Sequence, residues 1–129
     1  MPSAFETHGA FSWNELMTTD VPAARAFYGK LFGWKIEDMP NPEMPYAVVS
    51  AGDTAIGGIM KIPKDAKGMS PSWGAYVTVK NVDELVAQVN SLGGKLLIAP
   101  QDIPTVGRFA VIQDPQGAVL NVITYLPRP

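Results

Sequence analysis

Few side chains in this sequence can do acid–base or nucleophilic chemistry, and Glu15 is the most suggestive of them. The chain has no cysteine and one histidine, which excludes thiolate catalysis and cysteine metal sites. Glu15 lies in the run WNELMT, whose apolar residues predict a strand. A carboxylate on an apolar strand face loses hydration, which makes it a stronger base. Glu15 could therefore abstract a proton, or it could form a salt bridge with Arg108 or a neighbouring lysine.

Two further residues could support chemistry, and each has a structural alternative. His8 precedes the first predicted strand and could reach the rim of a cavity or a metal, although a histidine in an N-terminal segment is usually solvated. Arg108 stands at the head of a predicted strand and could orient an anionic ligand or pair with a nearby carboxylate. Neither residue forms a recognisable catalytic motif with Glu15.

The elements that must position these residues occur twice along the chain. Residues 12–34 read SWNELMTTDVPAARAFYGKLFGW, and residues 72–95 read SWGAYVTVKNVDELVAQVNSLGGK. Asp20 matches Asn81, 61 positions on, and Leu31 matches Leu92 at the same spacing. YAVVSAGDTAIGGIM, starting at position 46, matches FAVIQDPQGAVLNVI, starting at position 109. Two pairs of matches in the same order indicate an internal duplication.

Each copy predicts a strand, a helix and three short strands. Asp20 is the predicted N-cap of the first helix, and Asn81 with Glu84 forms a capping box for the second. Glycines 33, 93 and 94 supply the C-terminal stops. The apolar stripes of the two helices are predicted to be Ala23, Ala24, Phe27 and Leu31, and Leu85, Val89 and Leu92. The predicted strands cover 13–18, 35–38, 46–51 and 55–60 in the first copy, and 95–99, 108–113 and 119–124 after the second helix.

This pattern predicts an α+β fold of two tandem βαβββ modules. We expect one domain over 1–129, with module one at 9–61 and module two at 72–126. One module cannot bury both faces of its sheet, so two should form a curved mixed sheet around a concave cavity, with the helices outside. The connector, 61–72, is rich in Pro, Gly, Lys and Ser.

Composition excludes several classes of function. The net charge of −2 and the pI near 5.2 give no reason to expect nucleic acid as a partner. No apolar run approaches the roughly 18 residues that a membrane span needs, and the first residues lack the pattern of a secretory signal. The absence of cysteine gives no sign of an oxidising compartment. A cytoplasmic protein with a small-molecule partner is therefore expected.

Three motifs resemble those of the vicinal oxygen chelate superfamily, which contains glyoxalases, bleomycin-resistance proteins and extradiol dioxygenases. They are TTDVPAARAFYGKLFGW at 18–34, VKNVDELVAQVNSLGG at 79–94 and VGRFAVIQDPQGA at 106–118. Together with the paired modules, the resemblance covers nearly the whole chain and is closest to the two-module bacterial glyoxalase-like branch. The superfamily hosts several reactions on one scaffold, so the resemblance does not specify a reaction.

The resemblance also implies where a metal would bind. Superfamily members that use a metal take its ligands from the first and last strands of each module. The matching positions here are Trp13 and Gly58 in module one, and Gly74 and Asn121 in module two. Glycine offers no ligand atom, the indole N–H is only a donor, and a neutral amide is a poor ligand for zinc, nickel or iron. No metal and no cofactor are therefore expected.

Strand alternation predicts which side chains line the concave face instead. Leu16, Thr18, Val77 and Val79 should point toward the helices. The predicted ligand-binding residues are Trp13, Glu15, Met17, Gly58, Met60, Gly74, Tyr76, Thr78 and Asn121. This largely apolar lining suits a small aromatic or amphipathic molecule. Gly58 and Gly74 should leave room for it, unless the large side chains fill the concavity as core.

Three functions follow as hypotheses. The first is a glyoxalase/bleomycin-resistance-like protein that binds a small molecule in a metal-free cavity. The second is a glyoxalase-like lyase or isomerase in which Glu15 abstracts a proton and Tyr76 or Asn121 stabilises the enolate. The third is a structural or interaction module whose concavity is filled.

The resemblance further implies a homodimer, because many proteins of this scaffold form one. Loop-closure entropy favours pairing of the two modules within one chain. We therefore expect a symmetric dimer that forms through outer surfaces and is not required for the cavity.

Overall fold

A computed structural model describes residues 3–40, 45–64 and 68–127, which fall into two compact units. One unit is Trp13–Gly74, and the other combines Ala75–Pro129 with Met1–Ser12. The second unit thus includes the segment that precedes module one in sequence. Each unit is described below by itself.

The first unit contains one helix and a four-stranded mixed sheet. Its elements are β1 (Phe11–Thr18), α1 (Val21–Phe32), β2 (Lys35–Asp38), β3 (Ala47–Ala51) and β4 (Thr54–Lys61). The strand order is β2-β3-β4-β1, in which β1 pairs with β4 in parallel and the other pairs are antiparallel. Leu16, Ala47, Val49 and Ile59 form the buried core, against which Val21, Ala24 and Tyr28 of α1 pack.

The second unit repeats this arrangement. Its elements are the part of β5 (Ser72–Thr78) from Ala75 onward, α2 (Val82–Val89), β6 (Lys95–Ile103), β7 (Gly107–Gln113) and β8 (Val119–Tyr125). The order is β5-β8-β7-β6, again with one parallel pair, β5 with β8. Val79, Val82, Ala110 and Val122 form its core. The α+β class and the βαβββ repeat are thereby confirmed, whereas the exact module boundaries remain predictions.

The helix boundaries follow from the residues predicted to set them. The Asp20 carboxylate accepts the Ala23 N–H at 3.0 Å, and the Asn81 amide oxygen accepts the Glu84 N–H at 3.1 Å. Gly33 and Gly93 end the helical segments with φ values of 72° and 90°, a left-handed conformation that glycine adopts without steric cost. A 3-10 turn at Asn90–Leu92 extends α2 before that stop.

The predicted apolar stripe of α1 is wrong in part. Ala24 packs on the sheet, but Phe27 and Leu31 are exposed, and Val21 and Tyr28 take the inner face instead. In the second helix Leu85 and Val89 are packed as predicted, whereas Leu92 is exposed. The error in α1 arose because apolar residues surround much of the helix, so periodicity alone did not identify the inner face.

We expect Asp20→Ala and Asn81→Ala each to lower the free energy of unfolding by about 1 kcal/mol, because each leaves a first-turn N–H without its cap. Chemical denaturation measures the effect. Asp20→Asn is the control, since an amide oxygen can still accept the hydrogen bond and stability should stay near that of the parent. Equal losses in Asp20→Asn and Asp20→Ala would contradict the cap interpretation.

Candidate functional site

The candidate site residues of the first unit lie on the sheet face that carries no helix. Leu16 and Ile59 belong to the core under α1, so their neighbours along β1 and β4 point the other way. The strand register sets Glu15 beside Gly58 and Met17 beside Met60. We call this surface the helix-free face of the first unit. Four of the predicted ligand-binding residues are thus brought together on this face, as the pairs Glu15 with Gly58 and Met17 with Met60.

Tyr46 occupies the space above Gly58 on this face. A Cβ built on Gly58 would overlap the Tyr46 phenol ring and hydroxyl. The Trp13 indole N–H donates to the Tyr46 hydroxyl at 2.9 Å. The expectation that Gly58 leaves room for a ligand is therefore wrong, because the absent side chain makes room for Tyr46. Trp13 and Tyr46 therefore form an aromatic wall on the helix-free face of the first unit, above Gly58.

The helix-free face of the second unit carries the remaining predicted residues that lie on β5 and β8. The register sets Tyr76 beside Asn121 and Thr78 beside Ile123. Tyr76 and Thr78 are buried, and the Asn121 amide donates to the Ala75 carbonyl at 3.2 Å. That hydrogen bond uses one donor of the Asn121 amide, whose oxygen is an acceptor.

The N-terminal segment covers part of this second face. The Thr78 hydroxyl donates to the Ala4 carbonyl at 2.7 Å, and the Thr78 backbone pairs with Gly9 and Ala10 at 2.7 and 2.8 Å. The Phe5 ring meets the Tyr125 ring edge-on at 5.0 Å. Thr78 therefore positions the N-terminal segment, and its hydroxyl is already committed as a donor.

His8, which belongs to the same N-terminal segment, is held by a hydrogen bond from Lys80. Its Nδ1 accepts the Lys80 backbone N–H at 2.8 Å, so the neutral ring carries its proton on Nε2. His8 lines an open cavity of about 560 Å³ within the second unit. The other lining residues are Phe5, Glu6, Thr78, Val79, Lys80, Thr124, Tyr125, Leu126 and Pro127. His8 is exposed, as the sequence suggested, and the hydrogen bond from Lys80 fixes the orientation of its ring.

The side chains at the four family metal positions do not fit a metal. Trp13 donates to Tyr46, Gly58 has no side chain and lies under the Tyr46 ring, and Asn121 donates to a carbonyl. Gly74 has no donor atom. Nor does any group of three His, Asp or Glu residues in the described ranges come close enough to share an ion. The residues present therefore offer none of the imidazole or carboxylate ligands that such a metal prefers.

Glu15 is buried, with 8% of its surface exposed. Its neighbour in register, Gly58, has no side chain, and the core residue Leu16 follows it in sequence. A carboxylate so placed loses much of its hydration, which is the property that suggested a base. Its position on the helix-free face agrees with the predicted strand alternation.

Arg108 has a structural role. Its guanidinium donates to both carboxylate oxygens of Asp83 at 2.9 and 3.1 Å, and to Asp102 at 3.0 Å. Hydrogen bonding to Arg108 holds the pKa of the Asp83 carboxyl below its usual value. The pair is exposed, so its contribution to stability is small. Of the two roles considered for Arg108, the structure shows the pairing with carboxylates.

Two features of the site were missed by reasoning from sequence. Tyr46 directly precedes β3, whose Ala47 and Val49 are core residues, so alternation could have placed Tyr46 on the helix-free face. The prediction of the lining followed the first and last strands of each module, which do not include β3. The N-terminal segment gave no periodic signal, so its attachment to Thr78 could not have been found.

The fold and the helix-free faces define a paired-module α+β protein of the glyoxalase class. Residues 10–122 match the model of the Glyoxalase/Bleomycin resistance protein/Dioxygenase superfamily, and the chain belongs to that superfamily. No helix in the described ranges is long enough to cross a bilayer, since α1 has only 12 residues.

Curated relatives support this assignment. CFP32 of Mycobacterium tuberculosis, provisionally named a glyoxylase, is 38% identical over 121 residues, which is 93% of this chain and 46% of CFP32. The anthracycline biosynthesis protein DnrV of Streptomyces peucetius is 29% identical over 127 residues, covering 88% of this chain and 46% of DnrV. The chain thus spans about half the length of these relatives.

Among solved structures, methylmalonyl-CoA epimerase from Mycobacterium tuberculosis superposes with a TM-score of 0.69 at 14% identity. The match covers 98% of this chain and 94% of the epimerase. A superfamily member from Vibrio splendidus superposes with a TM-score of 0.58 at 14% identity, over 85% of this chain and 94% of that protein. At these identities the likeness concerns the fold alone.

We expect Gly58→Ala to lower the free energy of unfolding by about 1–3 kcal/mol, because the new methyl group would displace the Tyr46 ring. Combining it with Tyr46→Ala should remove most of that cost, and a double-mutant cycle by chemical denaturation measures the coupling. Gly29→Ala, in α1, is the control, since a Cβ there meets only one atom, at 3.8 Å. Strictly additive effects of the Gly58 and Tyr46 substitutions would contradict this packing.

Proposed function

We propose that this protein binds a small aromatic or amphipathic molecule without a metal, using residues of its helix-free faces. The observation that carries the proposal is the set of side chains at the family metal positions, Trp13, Gly58, Gly74 and Asn121, which contains no imidazole or carboxylate. A protein that keeps this scaffold without metal-ligating side chains can still bind a small molecule through packing and hydrogen bonding.

The chemistry of the first unit's helix-free face supports an aromatic ligand. Trp13 and Tyr46 supply adjacent rings held by a hydrogen bond, and Met17 lies beside Met60. Aromatic rings and thioether sulfurs pack favourably against flat apolar molecules. The relative DnrV is named an anthracycline biosynthesis protein.

A protein that binds in this way would act by sequestering its ligand or as an accessory protein in a pathway. Neither role requires a chemical step, and the superfamily description includes bleomycin resistance proteins. The predicted cytoplasmic location and homodimer belong to the same proposal.

We expect a panel of polycyclic aromatic compounds to include ligands that raise the thermal unfolding temperature, with no change when a chelator is added. Met60→Lys should weaken such a ligand at least about tenfold, because an ammonium group would have to be desolvated against an apolar surface. Isothermal titration calorimetry measures the affinity, and Gln88→Lys, on the exposed side of α2, is the charge-matched control.

Two results would count against this proposal. Stoichiometric zinc, nickel, manganese or iron in the purified protein would overturn the metal-free site. Absence of binding across the panel would favour the third hypothesis, in which the concavity is filled and the protein is a structural or interaction module.

A second candidate function is a glyoxalase-like lyase or isomerase, and the burial of Glu15 favours it. In that reaction the Glu15 carboxylate would take a proton from the carbon next to a carbonyl group. The resulting enolate would be stabilised by hydrogen bonds, for which Tyr76 and Asn121 were predicted, and the proton would return to the substrate. Hydrogen bonds without a Lewis acid give weaker stabilisation, so slow turnover is expected.

We expect Glu15→Gln to abolish any turnover on α-ketoaldehyde adducts while ligand affinity changes less than about threefold, because the amide keeps the shape but cannot accept the proton. Turnover is measured spectrophotometrically and affinity by calorimetry. Glu37→Gln on the exposed strand β2 is the matched control. Unchanged turnover in Glu15→Gln would remove Glu15 from the mechanism, and no turnover in the parent would leave binding as the function.

A further inference from the structure

The open cavity that His8 lines is a second candidate binding site, distinct from the family metal positions. It lies within the second unit, at the ends of β5 and β8, where the N-terminal segment is attached. Its volume of about 560 Å³ is within the roughly 300–1,000 Å³ of typical small-molecule sites. It shares no lining residue with the aromatic wall of the first unit.

Two hydrogen-bond donors border this cavity. His8 Nδ1 accepts the Lys80 backbone N–H at 2.8 Å, so the neutral imidazole carries its proton on Nε2. Within the described ranges that Nε2–H has no acceptor, and the Lys80 ammonium forms no ion pair, since the ion pairs there belong to Arg25 and Arg108. An ammonium group and an imidazole N–H together suit a carboxylate, whose two oxygens accept strong hydrogen bonds from them.

Two aromatic rings border the same cavity. The Phe5 ring meets the Tyr125 ring edge-on, with 5.0 Å between centroids, and the Tyr125 hydroxyl lies 2.8 Å from the Ser12 hydroxyl. Both rings are half-buried, so they are held in place before a ligand arrives. Rings fixed in this way offer a packing surface to a flat apolar group.

The internal duplication shows that the fold does not require these groups. Lys80 matches Thr19 at the 61-residue spacing, and Tyr125 matches Ile62 at the 63-residue spacing of the later strands. Phe5 and His8 precede the duplicated sequence. The first unit therefore forms the same architecture without a cation or a ring at these positions, which indicates a role specific to the second unit.

We propose that this cavity binds a small aromatic carboxylate. The carboxylate accepts hydrogen bonds from the Lys80 ammonium and His8 Nε2–H, and the ring packs against Phe5 and Tyr125. Among the described lining residues Glu6 alone is acidic, and its Oε1 accepts the Ser3 hydroxyl at 3.3 Å. Its charge opposes that of the ligand and lowers the affinity. This site goes beyond the proposed function and does not depend on it.

Nuclear magnetic resonance tests the site directly, because His8 is the only histidine and gives the only imidazole signals of the tag-free protein. We expect phenylpropionate, added up to about 10 mM at constant pH, to shift the ring nitrogen signals of His8 in a saturable way. Acetate, which lacks the ring, and phenylpropanamide, which lacks the charge, should each bind at least about tenfold more weakly.

The outcomes of this titration separate the parts of the proposal. Equal binding of phenylpropanamide would overturn the anionic class of the ligand. Equal binding of acetate would overturn the aromatic contact. His8 signals that do not respond to phenylpropionate would overturn the site and leave the small-molecule proposal for the helix-free faces to its own test.

Lys80→Gln should weaken phenylpropionate at least about threefold and remove most of the salt dependence of binding, because an exposed ammonium acts through a screened charge. The variant keeps the backbone N–H that orients His8. Lys95→Gln, exposed on β6 and outside the lining, is the charge-matched control and should leave the affinity unchanged. Equal losses in the two lysine variants would indicate a general charge effect and overturn the role of Lys80.

Two further variants test the ligand charge and the separateness of the site. Glu6→Gln should tighten phenylpropionate binding about twofold, since it removes a like charge. Weaker binding in Glu6→Gln would overturn the anionic ligand. Met60→Lys, which tests the proposed function, should leave phenylpropionate binding unchanged, and a loss in that variant would overturn the assignment to a second site.

Discussion

Each unit depends on one constraint: a helix covers one face of a four-stranded sheet, and strand alternation then sends every second side chain to the other face. Leu16 and Ile59 pack under α1, so Glu15, Met17, Gly58 and Met60 must lie on the helix-free side. A slip of one residue in the pairing of β1 with β4 would bury the Glu15 carboxylate in the core and expose Leu16. The large free-energy difference between those registers is what fixes the candidate site.

Much of this arrangement could be predicted from sequence, because the signals were local. The caps at Asp20 and Asn81, the glycine stops and strand β2 are where the residue types put them. Alternation also predicted the directions of Leu16, Val77 and Val79 correctly. What could not be predicted depended on contacts between segments distant in sequence. Alternation gives the face on which Tyr46 lies, but the position of its ring above Gly58 has no local signature. The same is true of the Ala4 carbonyl that accepts the Thr78 hydroxyl.

The two modules show how the side chains of a duplicated sequence diverge while the fold stays constant. Matching positions on β4 and β8 are Gly58 and Asn121, and only the glycine admits an aromatic ring. A side chain at position 58 would exclude Tyr46 and remove the acceptor of the Trp13 indole hydrogen bond. The aromatic wall of the first unit is therefore a consequence of a missing Cβ, and the second unit, with an amide at that position, presents a hydrogen-bonding group instead.

Under the proposed function, the aromatic wall of the first unit would let a scaffold without metal ligands still bind a ligand in one orientation. A metal fixes a substrate by strong, directional bonds to oxygen, and its loss removes most of that orientation. In the proposed site, packed rings would restore some of that orientation, since Trp13 and Tyr46 constrain each other and would lose little side-chain entropy on binding a flat molecule. Affinity of the proposed kind would then come mainly from apolar contact, and any hydrogen bond made on the same face would add selectivity.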